Sequence, residues 1–295
     1  MTDQPLSGVT YARRGTAGWI TLDRPAKRNA LTPAMVGALH QALDRADRDP
    51  HLRSIVITGA GPAFCAGADL EFFGGLLAQP DGLERFEAGL LRPLAGFLGR
   101  LRAEPRPVIA AVNGPCAAGG VELVVCCDLI LAAAGATFSD AHSRRGIAPA
   151  IGGAAGLVRS LGAHRAKQLM LLADSWDAAT LAACGLVAEV VPAAGLRARA
   201  EQLAAQLAQR SPASLALMKE LVHRAQDPPW EELAEADLAD FRASWGSADV
   251  REGVAAYAEG RDPDFAPGAG LAVSGPGTDN HRVETTGQRG QPDGE

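Results

Sequence analysis

The chain has no run of about 18 apolar residues, the minimum for a membrane-spanning helix. Its best candidate, from Val121 to Ala134, is broken by Glu122 and Asp128. It has no Lys/Arg block and a net charge of −6, so nothing in it tracks phosphates or draws it to nucleic acid. The opening residues Met1-Thr2-Asp3-Gln4-Pro5 lack the basic and apolar stretches of a secretory signal. Its five cysteines, Cys65, Cys116, Cys126, Cys127 and Cys184, form no CxxC pair and no even framework, which suits a reducing compartment. Cys126 and Cys127 sit beside Val125, Leu129 and Ile130 and read as small core side chains rather than metal ligands. Together these absences lead to the expectation of a cytoplasmic protein with no membrane, nucleic-acid or metal partner.

What the chain does have is ordinary globular composition, 47% hydrophobic and 21% charged over 295 residues, enough to bury a large core. Its first half alternates strand-like and helix-like segments, an α/β pattern. Gly18-Trp19-Ile20-Thr21-Leu22 reads as a strand. Thr32-Pro33 reads as an N-cap with proline at the first helical position, and the helix through Arg48 places Met35, Leu39 and Leu43 on one face. Strands are expected at 54–58, 108–112 and 129–132, with one helical pattern from Gly82 to Leu101. From about Gly152 the pattern is mostly helical, with helices expected at 195–209, 211–226 and 230–245. The division expected is an α/β core over 1–195, a helical region over 196–266, and a disordered Gly/Pro-rich tail over 267–295.

Two turns stand out. Ala63-Phe64-Cys65-Ala66-Gly67-Ala68-Asp69-Leu70 follows the strand at 54–58, and Asn113-Gly114-Pro115-Cys116-Ala117-Ala118-Gly119-Gly120-Val121-Glu122 follows the strand at 108–112. Each joins a β-branched run to a stretch that can be helical. Strand-to-helix turns of small residues can each aim a backbone N–H at one oxygen, and two such donors make an oxyanion hole.

These two segments resemble the signature segments of the crotonase superfamily, the enoyl-CoA hydratase/isomerase family. Leu22-Asp23-Arg24-Pro25-Ala26-Lys27-Arg28-Asn29-Ala30-Leu31 resembles its first motif, and Arg251-Glu252-Gly253 through Asp262-Pro263-Asp264-Phe265 resembles its C-terminal end. The resemblance runs from about Val9 to Phe265 with the motifs in the expected order. It implies a spiral of ββα units with a C-terminal helical region that packs between subunits of a trimer, often paired into a hexamer. It implies an acyl-CoA thioester as substrate and no cofactor other than the coenzyme A carried by that substrate.

Carried over residue by residue, the resemblance places the oxyanion-hole amides at Cys65 and Gly119 and the first catalytic carboxylate at Glu122. Cys65 would act through its backbone, since no histidine is placed to activate its sulfur. The family's second glutamate falls, counting without gaps from Phe138 and back from Gly146, on His142. A histidine can take and return a proton near neutral pH, so Glu122 and His142 are the expected catalytic pair. Asp140 would either orient His142 or act in its place, and a spacer role for His142 stays open. Coenzyme A is expected along Lys27, Arg28, Ala30, Ala66, Gly67, Ala68, Asp69 and Leu70. The basic residue that often follows the Ala-Asp-Leu segment is Glu71 here, and the lysine common after the C-terminal phenylalanine is missing. Lys27 and Arg28 would then compensate, unless another carrier such as an acyl-carrier-protein pantetheine presents the acyl group. Residues 71–91 would wall the acyl pocket. The expected reaction is reversible water addition to a 2-enoyl-CoA. The alternatives are isomerisation, thioester hydrolysis or C–C cleavage, or a catalytically weak acyl-CoA-binding subunit.

Overall fold

The computed structural model describes residues 4–224 and 230–264. The expected tail at 267–295, Phe265, and the end of the helix expected to reach Gln226 lie outside the described residues.

The chain opens with β1 (Gln4–Leu6), β2 (Val9–Arg14) and β3 (Ala17–Leu22), paired antiparallel. Helix α1 (Pro33–Asp47) leads to β4 (Ser54–Gly59), and α2 (Leu70–Leu77), α3 (Gly82–Phe86) and α4 (Arg92–Ala103) lead to β5 (Val108–Val112). The small strand β6 (Cys116–Ala117) and α5 (Gly119–Val124) come next, then β7 (Leu129–Ala133) and β8 (Thr137–Ser139). Further on are α6 (Gly153–Leu161), α7 (Ala163–Leu172), β9 (Trp176–Asp177), α8 (Ala178–Ala183) and β10 (Glu189–Val191). Four helices close the described chain: α9 (Leu196–Ala208), α10 (Pro212–Arg224), α11 (Trp230–Ser244) and α12 (Ala248–Glu259). Among the described residues no helix is long and apolar enough to cross a membrane.

Seven strands form one sheet in the order β1-β2-β3-β4-β5-β7-β10, parallel from β3 onward, and β6, β8 and β9 form a second, smaller sheet. Parallel strands with both faces covered read as continuous apolar runs, and β5, Val-Ile-Ala-Ala-Val, is buried at every position. Helix α1 begins as its sequence signals. The Thr32 side chain accepts from the Met35 amide at 3.3 Å, Pro33 opens the first turn, and Met35, Leu39 and Leu43 are buried on the core face.

Three elements depart from the sequence pattern. The helical pattern at 82–101 is interrupted by a wide π turn over 87–91. Pro93 follows it, and proline can neither donate to nor sit close against the carbonyl four residues back, so the preceding turn widens. Strand β10 joins the sheet edge after 152, where the pattern looked mostly helical; three residues are too short to show an alternation. Helix α12 has no separate sequence expectation. It is capped by Ser247, which accepts from the Val250 amide at 3.2 Å.

Neighbouring strands β4 and β5 run parallel in the register Ile55↔Val108 to Thr58↔Ala111, so the two turns leave the same end of the sheet side by side. Ligands of parallel sheets bind at that carboxyl end. Two asparagines hold the first turn in place, and Asn113 does so from the second. Asn113 accepts from the Gly59 amide at 3.0 Å and donates to the carbonyls of Gly61 (3.0 Å) and Ala63 (3.2 Å). Asn29, fully buried, accepts from the Arg24 amide at 2.8 Å and donates to the carbonyls of Ala60 (3.0 Å), Ala63 (2.9 Å) and Phe64 (3.1 Å). Its backbone is left-handed, at φ 57°. Replacing Asn29 by alanine leaves an amide and two carbonyls without partners and keeps a strained backbone. Asn29→Ala is expected to lower stability by about 2–4 kcal/mol in urea unfolding; a loss below about 0.5 kcal/mol would contradict this role.

Candidate active site

The first turn crosses the second like two short strands. Cys65 bridges Cys116: the amides of Phe64 and Cys65 donate to the Pro115 carbonyl at 3.0 and 3.3 Å, and the Ala117 amide donates to the Cys65 carbonyl at 2.8 Å. Three residues on, Ala68 bridges Leu31: the Leu31 amide donates to Gly67 (2.7 Å), and the Asp69 amide donates to Leu31 (2.9 Å). The Ala66 amide meets the Arg28 carbonyl at 3.0 Å, and the Gly67 amide meets Cys65 Sγ at 3.5 Å. Between Cys65 and Asp69, then, Ala68 carries the one N–H without an acceptor among the described residues. Gly119 is the first residue of α5, where an N–H has no carbonyl within the helix to meet.

The two amides expected as donors, Cys65 and Gly119, are differently placed. The Cys65 amide is committed to Pro115, and Cys65 is fully buried and does not line the cavity in front of the turns; Ala68 and Gly119 do line it. Burial pushes the Cys65 thiol up to about 12, so its sulfur is protonated at neutral pH. A phenylalanine-based count could not show this, because it does not say which amide the bridge consumes.

The two turns touch at Gly67. Its backbone sits at φ 86°, and a Cβ there would lie 2.8 Å from Ala118 Cβ and 3.0 Å from the Gly119 nitrogen. A Cβ on Gly120 would lie 2.7 Å from the Cys65 carbonyl oxygen. Ala118 takes a rare conformation, φ 46° and ψ −118°, and donates to the Ser139 carbonyl at 3.0 Å.

The cavity holds about 690 Å³. Lys27, Arg28, Ala30, Ala66, Ala68, Asp69 and Leu70 line it; Gly67 lies behind the wall, in the contact between turns. Phe73, Phe86, Leu90 and Leu91 give it an apolar face. Phe86 is stacked on Phe241 and Trp245, at centroid distances of 5.8 and 5.5 Å, so α11 closes this part of the wall. Asp69 caps α2, accepting from Glu71 (3.0 Å) and Phe72 (3.2 Å), and pairs with Arg24 at 2.9 Å. Burial alone would raise its pKa, but Arg24 and the two amides hold the carboxyl below its usual range. Lys27 is ion-paired with Glu71, the residue it was expected to compensate for. Arg28 has no acidic partner among the described residues.

Glu122 sits one turn into α5 and is 4% exposed. Its Oε1 has no hydrogen-bond partner. Gly153, at the start of α6, lets the chain close over it: a Cβ there would lie 2.5 Å from Glu122 Cγ. Burial raises its pKa to about 7; the charge of His142 and the Ile151 amide work against that rise, and Asp140 and Asp237 add to it. His142 lines the same cavity. Its Nδ1 lies 3.0 Å from Asp140 Oδ1, and its backbone N–H donates to the same oxygen at 3.3 Å. Burial lowers the imidazole pKa, but the Asp140 bond and the charges of Asp140, Glu122 and Asp237 outweigh it, and the net shift is upward. Asp140 is itself buried and lies behind His142 rather than on the cavity wall. With Nδ1 held by Asp140, Nε2 is left as the nitrogen free to exchange a proton.

Two small-residue turns, a buried carboxylate and an imidazole backed by a carboxylate thus surround one partly apolar cavity. The enoyl-CoA hydratase/isomerase family model matches residues 13–268. The chain belongs to the enoyl-CoA hydratase/isomerase family. It is 34% identical over 257 residues to a probable enoyl-CoA hydratase of Mycobacterium bovis, covering 87% of this chain and 97% of the relative. It is 37% identical over 250 residues to the mevalonyl-coenzyme A hydratase of Aspergillus fumigatus, covering 84% and 90%. The crystal structure of carnitinyl-CoA hydratase from Mycobacterium avium superposes with a TM-score of 0.75 at 33% identity, over 88% of this chain and 98% of that one. The fold is therefore the crotonase fold of this enzyme family.

Gly67→Ala tests the contact between the turns. Both the left-handed φ and the 2.8 Å approach must yield, which moves Gly119 relative to Ala68. The expected result is a loss of about 1–3 kcal/mol of stability and a fall of about 10²–10³ in kcat/KM, the scale of losing one oxyanion donor. An unchanged kcat/KM would contradict the arrangement.

Proposed function

We propose that this enzyme adds water reversibly across the C2–C3 double bond of a 2-enoyl-CoA, with the N–H groups of Ala68 and Gly119 receiving the thioester oxygen. The observation that carries this reading is a buried carboxylate poised near pH 7, Glu122, sharing one cavity with an imidazole backed by a carboxylate, His142 with Asp140. The family relatives named as hydratases support it.

In the proposed mechanism the two amides draw charge onto the thioester oxygen and make C3 electrophilic. Glu122, ionised, takes a proton from water as the water oxygen bonds to C3 and the double-bond electrons move onto the thioester oxygen. The resulting enolate collapses as His142, protonated, gives its Nε2 proton to C2. The proton left on Glu122 returns to His142 through solvent, so one water is consumed and both groups are restored. Asp140 is a positioning residue here: it fixes the imidazole ring and favours its charged form. Two separate proton-exchanging groups suit hydration better than isomerisation, in which one group can lift and return a single proton. Arg28 is offered to the coenzyme A phosphates, since Lys27 is already paired with Glu71.

The pH dependence follows from the signs. Glu122 must be deprotonated, so the rate rises with pH through about 7. His142 must be protonated, and its pKa is raised from 6.5, so the rate falls again on the alkaline side. The expected profile of kcat/KM on crotonyl-CoA is a bell whose acid limb is centred near 7. Glu122→Gln is expected to remove the acid limb and about 10²–10⁴ of the rate. Because Glu122 binds its proton more tightly folded than unfolded, its contribution to stability is complete below its ordinary 4.5 and is lost as pH rises through about 7. At pH 8 the glutamine variant should therefore be more stable than wild type, by about 1–3 kcal/mol. Wild-type turnover in that variant would refute the mechanism.

We also propose self-association through the C-terminal helices, as a trimer or a paired trimer. Helix α10 exposes Leu217, Met218, Leu221 and Val222, each more than half accessible, along one face of the single chain. Such a patch marks an interface. Sedimentation velocity is expected to show an oligomer that Leu221→Glu dissociates; a monomeric wild type would sink this reading.

A further inference from the structure

Arg145 stands apart from the other arginines of the cavity region. Arg24 pairs with Asp69, and Arg144 turns outward to Asp174 at 3.5 Å. The Arg145 guanidinium meets no carboxylate among the described residues. It lies over the ring of Tyr257, with Cζ 4.9 Å from the ring centroid, and both side chains line the cavity beside His142. The placement is built into the backbone. A Cβ on Gly253 would lie 2.1 Å from the Arg145 carbonyl oxygen, and one on Gly146 would lie 2.5 Å from the Asp249 carbonyl oxygen. Only glycine at both positions lets α12 lie directly on the segment that carries Arg145. Tyr257 is four residues beyond Gly253, one turn along the same face, and so reaches the guanidinium from the helix whose register these glycines set.

An arginine cannot shed its charge. The carboxylates on the same wall are engaged elsewhere, Asp69 by Arg24 and Glu71 by Lys27, and Glu122 is buried on α5. Tyr257 holds the guanidinium by its π face, which leaves the in-plane N–H fork open to a planar anion. A carboxylate matches that fork with two parallel bonds. Arg28 is a second unpaired cation but is solvent-exposed, whereas Arg145 is only partly accessible and shares its wall with His142.

We propose that Arg145 is a specificity-determining residue that receives a carboxylate on the acyl portion of the substrate, so that the preferred substrates are mono-CoA thioesters of dicarboxylic acids. The proposal rests on the acyl-CoA reading of the cavity but not on turnover. The same fork could instead meet a coenzyme A phosphate, and the experiment separates the two.

The test is calorimetric titration of the full-length protein with freshly prepared saturated thioesters, which lack the C2–C3 double bond, matched in carbon number: succinyl- against butyryl-CoA, glutaryl- against pentanoyl-CoA, and adipyl- against hexanoyl-CoA. For at least one length the diacid thioester is expected to bind about tenfold or more tightly than its partner, the scale of a charge-assisted bidentate pair. In Arg145→Met, which keeps an unbranched side chain against Tyr257, that ratio should fall about tenfold. Arg145→Lys, which keeps the charge and loses the fork, should retain part of it. An equal loss on both members of each pair would assign Arg145 to the phosphates and overturn the proposal. A ratio unchanged in both variants, or a wild type that binds every diacid more weakly, would overturn it too. Melting temperatures identify a misfolded variant, and the lysine variant then carries the test. Hydration of crotonyl-CoA is measured separately, so failure of the hydratase reading and failure of this one are distinct results.

Discussion

The contact on which the site depends is the meeting of two turns at Gly67. One turn leaves β4 and the other leaves β5, and because those strands are parallel neighbours the turns emerge side by side. A methyl group at Gly67 would press on Ala118 and on the Gly119 nitrogen, and one at Gly120 would press on the Cys65 carbonyl. Small residues therefore do two things at once. They let the turns close on each other, and they leave Ala68 and Gly119, whose amides meet no carbonyl among the described residues, on the cavity wall. The asparagines at 29 and 113 hold the carbonyls of the first turn in that position. The strain visible at Ala118 is local and is offset by this surrounding network.

Electrostatics follow from the same packing. Glu122 is brought under α6 by Gly153 and loses most of its contact with water, which lifts its pKa into the range where a carboxylate can accept and release protons at neutral pH. His142 is driven the other way from a simple buried imidazole, because Asp140 is fixed behind it. A carboxylate and an imidazole, both with raised pKa, thus line one cavity, and neither depends on an exposed side chain for its tuning. The ion pair between Lys27 and Glu71 belongs to the surface and contributes little to stability.

Much of this was legible in the residues. The strands at 54–58 and 108–112, the Thr32 cap and the two small-residue turns follow from β-branched runs, proline and glycine placement, and the structure shows them there. The family likewise followed from the motifs in order. His142 was found by an ungapped count, and the structure sets it on the cavity wall with Glu122. The expected donor, Cys65, rests on a count from Phe64, and a count does not say which amide a neighbouring carbonyl takes up. Only the bridges to Cys116 and Leu31 reveal which amide is spent. Asp140 could be read as actor or support until its burial was known. Arg145 had no sequence signal at all, since its meaning comes from Tyr257, more than a hundred residues later on α12. Strand β10, three residues long, and the π turn before Pro93, five residues long, were hidden because each is too short for a periodic pattern to stand out.

The central claim is that two main-chain amides polarise one thioester oxygen. The most direct measurement is the infrared difference spectrum of crotonyl-CoA carrying a 13C label at the thioester carbonyl, recorded bound to Glu122→Gln so that the ligand is not consumed. Donation from Ala68 and Gly119 predicts a bound carbonyl stretch at clearly lower wavenumber than in free solution. A carbonyl band at the same position bound and free would contradict the account.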